Sequence, residues 1–392
     1  MATSLARKIL LPALGLVGAA CTLLVVNVLA GWLYGRISGT DTRMGYWQQP
    51  TNPERYRWGW PPELPARAGL GWFDDYIAEF ARANRQRYEP FTGWRTVDLS
   101  GQHINVTHGL RASYRASALP PEPLQVYFFG NSTMWGWGSR DHHTIPSIFA
   151  RLAEADGIPI VATNYSEPGW ASWQDVLELS RLTASGSKPD LAIQMQGATT
   201  EVLLRMFSDR RLPLLTHYDQ QEIAEMLERP DELARTYRRY NGLRILLDRF
   251  SSPPKGTLPD VPPATPEMLA DALAAYRASI DAASRLARSH DFRILFFLQP
   301  SVFSKKQQPG DERLAKYAGI GQSVKAFDSA ITEPEVVKLG DVFDKLDRSV
   351  MLDTIHWNEA GAQAIAEAMY ARSKPVLQEL LLKRGNRQTA GP

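Results

Sequence analysis

Ser132 stands in the run Gly130-Asn131-Ser132-Thr133-Met134-Trp135-Gly136, directly behind the apolar stretch Gln125–Gly130. If that stretch is a parallel strand, the serine emerges at the carboxyl edge of a sheet, where open α/β folds bind ligands. Gly130 permits the tight turn this requires. A serine hydroxyl is a poor nucleophile until a base takes its proton. The candidate base lies far downstream, in Asp353-Thr354-Ile355-His356-Trp357-Asn358-Glu359-Ala360-Gly361. Asp353 precedes His356 by three residues, so a single turn brings its carboxylate to one ring nitrogen. The other nitrogen is then free to accept the Ser132 proton, with Asp353 fixing tautomer and orientation. The chemistry on offer is acyl transfer through a serine ester. Each motif alone has a plainer reading, Gly-Asn-Ser as a turn and Asp-x-x-His as a helix entrance.

The elements that must position these residues are legible from Leu124 onward. Gln125–Gly130, Ile158–Asn164, Leu191–Gln196, Arg293–Gln299 and Val336–Leu339 read as strands. Helical patterns fall at Ile145–Ala155, Trp173–Thr183 (capped by Ser172, with Asp175 at the third helical position) and Glu359–Arg372. Asn358 suits the N-cap of the last helix, and Glu359 its positive end. Strands apolar on both faces and separated by helices predict a parallel sheet with covered faces. Between the third and fourth strands, helical patterns at Gln220–Glu228, Asp231–Phe250 and Pro266–Ser289 are interrupted by six prolines within Ser251–Pro266. That is long for a βαβ crossover and predicts a helical insertion at about 203–290, either a lid or partner surface or a plain elaboration. Residues 35–121, rich in Trp, Tyr, Arg and Pro, read as an extension packed on the 122–386 domain, with one helix around Trp72–Arg87.

Taken together, the serine and Asp-x-x-His motifs resemble the SGNH (GDSL-type) hydrolase superfamily. Its first block is Gly-Asp-Ser or a variant after the first strand, and its last is Asp-x-x-His before the final helix. Here the first block reads Gly130-Asn131-Ser132. Pro168-Gly169-Trp170, after the second strand, resembles the block whose glycine N–H faces the oxyanion. Pro189-Asp190-Leu191-Ala192-Ile193 followed by Gly197 resembles the third-strand block, which usually ends Gly-x-Asn. The resemblance covers about residues 124–372, and the wording around it is like that of membrane-attached bacterial members. It implies a three-layer, flavodoxin-like α/β fold. It also implies Ser132 as nucleophile, His356 as general base and acid, and Asp353 as its orienter. The oxyanion donors would be the Ser132 and Gly169 N–H groups. Thr199 stands where the family has asparagine, and Thr200 beside it is the other candidate. A hydroxyl donates one hydrogen bond over a shorter reach than an amide.

Composition narrows the setting. The chain has 392 residues, with 44 basic against 42 acidic ones, which gives no electrostatic case for nucleic acid. One cysteine, Cys21, excludes an intramolecular disulfide, and seven histidines without a Cys/His cluster supply no structural zinc set. The chemistry itself needs no cofactor. Ile9–Tyr34 holds 26 residues without a charge. As a helix it reaches about 39 Å, enough for a hydrocarbon core of about 30 Å. Arg7 and Lys8 precede it, which predicts a cytoplasmic tail at 1–8, a transmembrane helix at 9–34 and an extracytoplasmic remainder. A signal cleaved near Ala30 and a lipoprotein signal at Cys21 are the alternatives, and the length of the apolar run favours an anchor.

The implied substrate is an acylated carbohydrate or small ester, through an esterase, an acetyltransferase fed by a membrane partner, or a weakly catalytic glycan-binding domain. Trp135, Trp137 and Trp170 flank the serine and either stack on sugar or pack the core. His142-His143 and Glu167 could touch substrate but read more simply as solvated groups. Asn105-Val106-Thr107, Asn131-Ser132-Thr133 and Asn164-Tyr165-Ser166 match the glycosylation sequon, a pattern frequent by chance.

Overall fold

Strand order decides where a site can form in this chain. The computed structural model describes residues 15, 18–19, 21–30, 60, 62–83, 85–202, 206, 262–312 and 318–389, with backbone alone at 199 and 387–389. The parallel strands are β5 (Leu124–Gly130), β6 (Ile160–Asn164), β7 (Leu191–Gln196), β8 (Arg293–Leu298) and β9 (Val336–Lys338). They lie in the order β6-β5-β7-β8-β9, so the sheet grows outward from β5 in opposite directions. This is the flavodoxin-like order, and its switch point lies between β5 and β7. All six residues of β7 are buried, as are six of the seven in β5, as expected of strands covered on both faces. The parallel α/β expectation holds.

Helices supply the outer layers. α3 (Ile145–Ala155) packs on α8 (Glu359–Thr389) on one face, while α4 (Ser172–Ala184), α6 (Pro266–His290) and α7 (Ala318–Ala330) gather on the other. α6 buries Ala272, Tyr276, Ile280, Ala283 and Ala287, a helical stripe that packs against β8 and α4. It is therefore the ordinary β7–β8 crossover, and of the predicted insertion only 203–265 remains, which apart from 206 and 262–265 lies outside the described residues. The end of α4 also differs from expectation. Ala171 occupies the N-cap and Ser172 is the first helical residue, because Gln174 Oε1 accepts the Ala171 N–H (3.0 Å).

The extension has its own architecture. α1 (Phe73–Ala83) buries Phe73, Tyr76, Ile77 and Phe80, the spacing of a single apolar stripe. It ends earlier than the predicted Arg87, because residues from Gln86 are drawn into a hairpin. β1 (Gln86–Glu89) pairs antiparallel with β2 (Gly93–Thr96). A second hairpin, β3 (Val106–Thr107) and β4 (Leu110–Arg111), adds an antiparallel edge to the main sheet beside β6. Its turn, His108-Gly109, has positive φ at both residues (53° and 74°), the type I′ geometry.

The extension's apolar residues form a second core, around Trp60, Phe73, Tyr76, Phe80 and Ile104. That core also takes in Trp135 and Trp137 from the loop behind Ser132, and Leu352 beside Asp353. Of the predicted 9–34 segment, residues 15, 18–19 and 21–30 are described and helical, with Leu23 63% and Leu29 58% exposed. Among the described residues no helix is long and apolar enough to cross a membrane.

Candidate active site

β5 delivers Ser132 through a backbone that only glycine suits. Gly130 has φ of +152°, and a Cβ there would lie 2.5 Å from the Met195 carbonyl oxygen of β7. Asn131 then caps the short helix α2 (Ser132–Trp135), its Oδ1 accepting from Thr133 N–H (3.0 Å) and Thr133 Oγ1 (2.8 Å). Its amide Nδ2 donates to Gln299 Oε1 (2.8 Å) and Gln196 Oε1 (3.2 Å), so the residue is locked from both ends. Ser132 itself is half-buried.

The downstream loop is folded by its own backbone. Leu352 N–H donates to the His356 carbonyl (2.8 Å), Asn358 N–H to the Val350 carbonyl (2.9 Å), and Met351 bridges Trp357. Within that loop Asp353 Oδ1 accepts from the N–H groups of Ile355 (2.9 Å) and His356 (2.8 Å), an Asx turn that explains the three-residue spacing. Asn358 caps α8 by accepting Gly361 N–H (3.1 Å) and donates to the Ala66 carbonyl (2.7 Å), tying the loop to the extension. Glu359 accepts from Arg140 Nε and Nη2 (both 2.8 Å), tying it to the serine loop as well.

These constraints bring the three residues into a line. Ser132 Oγ lies 2.8 Å from His356 Nε2, and His356 Nδ1 lies 2.8 Å from Asp353 Oδ2. His356 is 4% exposed, and Trp137 stacks on its ring with centroids 4.6 Å apart. Burial pushes the Asp353 carboxyl upward, but the facing imidazole and the N–H donors around it outweigh that. The carboxyl is held below its usual range and stays ionised.

The N–H groups of Ser132 and Gly169 have no acceptor among the described residues. Pro168 and Gly169 are the middle residues of a type II turn, with Gly169 at φ of +81° and Trp170 N–H donating to the Glu167 carbonyl (3.2 Å). The Pro168 carbonyl accepts from Trp94 Nε1 of β2 (2.9 Å). Since a trans peptide sends its C=O and N–H in opposite directions, that bond aims the Gly169 N–H away from β2.

Thr199 lies in the short helix α5 (Ala198–Glu201), and its side chain is outside the described residues. Thr200 Oγ1 donates to Gln196 Oε1 (2.8 Å), which commits its single proton elsewhere. Gln196 in turn donates to the buried Asp175 (2.8 Å), whose carboxyl burial pushes up to about 7.

Glu167 departs from its sequence reading, and the tryptophans take one of the two alternatives the sequence left open. Glu167 is fully buried, because β2 covers it. Its carboxylate accepts Thr96 N–H (3.0 Å) and Thr96 Oγ1 (2.6 Å). Arg95 lies 3.8 Å from it and 2.8 Å from Glu178, and burial pushes Glu167 up to about 7. Trp135, Trp137 and Trp170 are at most 3% exposed, so they pack the core and offer no sugar platform. His142 is exposed, and His143 is half-buried near Glu359 (3.8 Å). Trp60, which no motif marks, donates its indole N–H to Asp353 Oδ2 (2.8 Å). Among the described residues no group of His, Cys, Asp or Glu is placed to hold a metal.

The sequence matches no family model and no curated protein. Solved structures similar to the chain include a member of the lipolytic G-D-S-L family from Veillonella parvula (12% identity, 62% of this chain, 94% of that chain, TM-score 0.33). A family 3 carbohydrate esterase from Clostridium thermocellum matches at 13% identity (66% of this chain, 99% of that chain, TM-score 0.33). The esterase EstA from Pseudoalteromonas sp. matches at 13% identity (65% and 98%, TM-score 0.33).

Proposed function

We propose that the chain is a serine-dependent O-acyl esterase of SGNH type. The observation that carries this reading is the pair of 2.8 Å contacts from Ser132 through His356 to Asp353, placed at the switch point of the sheet. Ser132 Oγ attacks the ester carbonyl carbon as His356 Nε2 takes its proton. The N–H groups of Ser132 and Gly169 stabilise the oxyanion. The tetrahedral species collapses, the alcohol leaves with the proton from His356, and the acyl group stays on Ser132. Water, deprotonated by His356, then releases the acid. The resemblance stated from the sequence extends this to acetyl esters of carbohydrate. The charge-free 9–34 segment extends it to a membrane-tethered enzyme facing away from the cytoplasm.

Labelling with a fluorophosphonate tests the reading. The full-length chain should be modified at Ser132 and lose hydrolysis of a chromogenic acetyl ester, and Ser132→Ala should show neither labelling nor turnover. Hydrolysis that persists in Ser132→Ala ends the assignment. An acceptor sugar in the same assay separates hydrolysis from transfer, since a transferase makes acylated sugar ahead of free acid.

A further inference from the structure

We propose that Trp60, contributed by the N-terminal extension, is a positioning residue of the Ser132–His356–Asp353 relay, its indole N–H sharing Asp353 Oδ2 with the His356 ring. The inference rests on the serine reading above and adds to it a residue outside the parallel-sheet domain. Asp353 Oδ1 is already occupied by the Ile355 and His356 N–H groups, at 2.9 and 2.8 Å. Oδ2 faces His356 Nδ1 and Trp60 Nε1, each at 2.8 Å. The carboxylate is thus held by donors on both oxygens, and rotation about its Cβ–Cγ bond would break every one of them.

Trp60 is itself fixed. It is 3% exposed, and its ring meets Phe80 (5.4 Å), Phe73 (6.0 Å), Trp137 (6.2 Å) and His356 (6.2 Å). Its carbonyl accepts from Arg67 Nη1 (2.7 Å), and Arg67 pairs with Asp74 (3.0 Å). A tryptophan that only filled space could send its N–H to any nearby acceptor. Here it goes to the one oxygen that also holds the imidazole.

The shared oxygen has an electrostatic consequence. A second donor on Oδ2 draws charge that would otherwise stabilise the imidazolium. Of the groups that meet the His356 ring besides Asp353, Trp137 and Ser132 from the serine loop and Trp60 from the extension are uncharged. The Arg67–Asp74 pair stands behind Trp60. Losing the indole N–H should therefore tighten the carboxylate's hold on the protonated ring, and the acid limb of the pH–rate profile should move to higher pH.

The experiment uses the full-length chain and a chromogenic acetyl ester. Trp60→Phe should lower kcat about tenfold, leave KM within about twofold, and raise the acid limb by about half a pH unit. Benzothienyl-alanine at position 60 keeps the bicyclic shape without an N–H, so it should give the same kinetic changes with a near-native melting temperature. It also decides the matter if Trp60→Phe does not fold. Phe73→Leu, which loosens the same ring cluster without removing a donor, should lower the melting temperature and leave the acid limb in place. Native kcat and an unmoved acid limb in the benzothienyl chain overturn the role of Trp60. If Ser132→Ala is inactive in parallel, the serine reading survives that result. If Ser132→Ala is active, both fall.

Discussion

Asp353→Asn tests the relay most sharply, because every hydrogen bond to this carboxylate comes from a donor. Ile355 N–H, His356 N–H, His356 Nδ1 and Trp60 Nε1 all point at its oxygens, at 2.8–2.9 Å. An asparagine has one oxygen to offer, so its NH2 must face two N–H groups whichever way the amide turns. With the NH2 outward, the backbone pair keeps its acceptor, and His356 can meet the amide only by moving its proton from Nδ1 to Nε2. The ring would then present a proton to Ser132 Oγ, across the contact now 2.8 Å long, instead of a lone pair. With the NH2 inward, the Asx turn that sets the spacing loses both its bonds. In a serine protease, the same substitution with geometry preserved costs about ten-thousandfold in kcat, or about 5 kcal/mol of barrier. We expect a loss of that order here. The assay is steady-state ester hydrolysis, paired with the rate of fluorophosphonate labelling, which should fall in step because both depend on the same base. Thermal melting confirms folding. A folded Asp353→Asn chain that keeps kcat within about tenfold of native would refute the reasoning.

The surrounding residues give two further predictions. Burial raises Glu167 from 4.5 to about 7, so between those values the folded chain binds more protons than the unfolded one, and this group's contribution to stability falls as pH rises. Glu167→Gln should therefore be no more stable than native at pH 4.5 and gain on it up to about pH 7, by at most about 3 kcal/mol. Paired melting curves across that range check this, and a gain that grows toward acid contradicts it. Trp94→Phe removes the shorter of two bonds to the Pro168 carbonyl, leaving Gln86 Nε2 at 3.5 Å, and so loosens the aim of the Gly169 N–H. Losing an oxyanion donor outright costs about 2.7–4 kcal/mol, and loosening one should lower kcat about tenfold with KM little changed. An unaltered kcat would remove Trp94 from the site.

Much of the sheet was legible because its chemistry is local. β5 and β7 are runs of apolar residues bounded by turn formers, and Leu191–Gln196 begins and ends where the pattern does. Asp353 and His356 were legible for a similar reason, since an Asx turn is written into three consecutive steps of chain. What stayed hidden depends on distant partners. Ser166-Glu167-Pro168-Gly169 has the composition of an exposed turn, and nothing nearby reveals that Thr96 and Arg95 bury the carboxylate. Trp60 and Trp94 are two of many aromatics in an aromatic-rich stretch, and only the folded chain shows where each indole N–H goes. The β3–β4 hairpin, two residues a strand, is too short to leave a period of two.

The second core joins the extension to both halves of the centre, through Trp60 at the carboxylate and Trp94 beneath the Gly169 peptide. A chain trimmed to begin at Leu124 would still carry Ser132, Asp353 and His356, and its sheet would still be complete from β5 to β9. It would lack the fourth donor to Asp353, the Trp94 anchor of the Pro168-Gly169 turn and the cover over a buried Glu167. On the proposed reading, a fragment that keeps every contact around Ser132, Asp353 and His356 is thus larger than the parallel-sheet domain and reaches back to about residue 60.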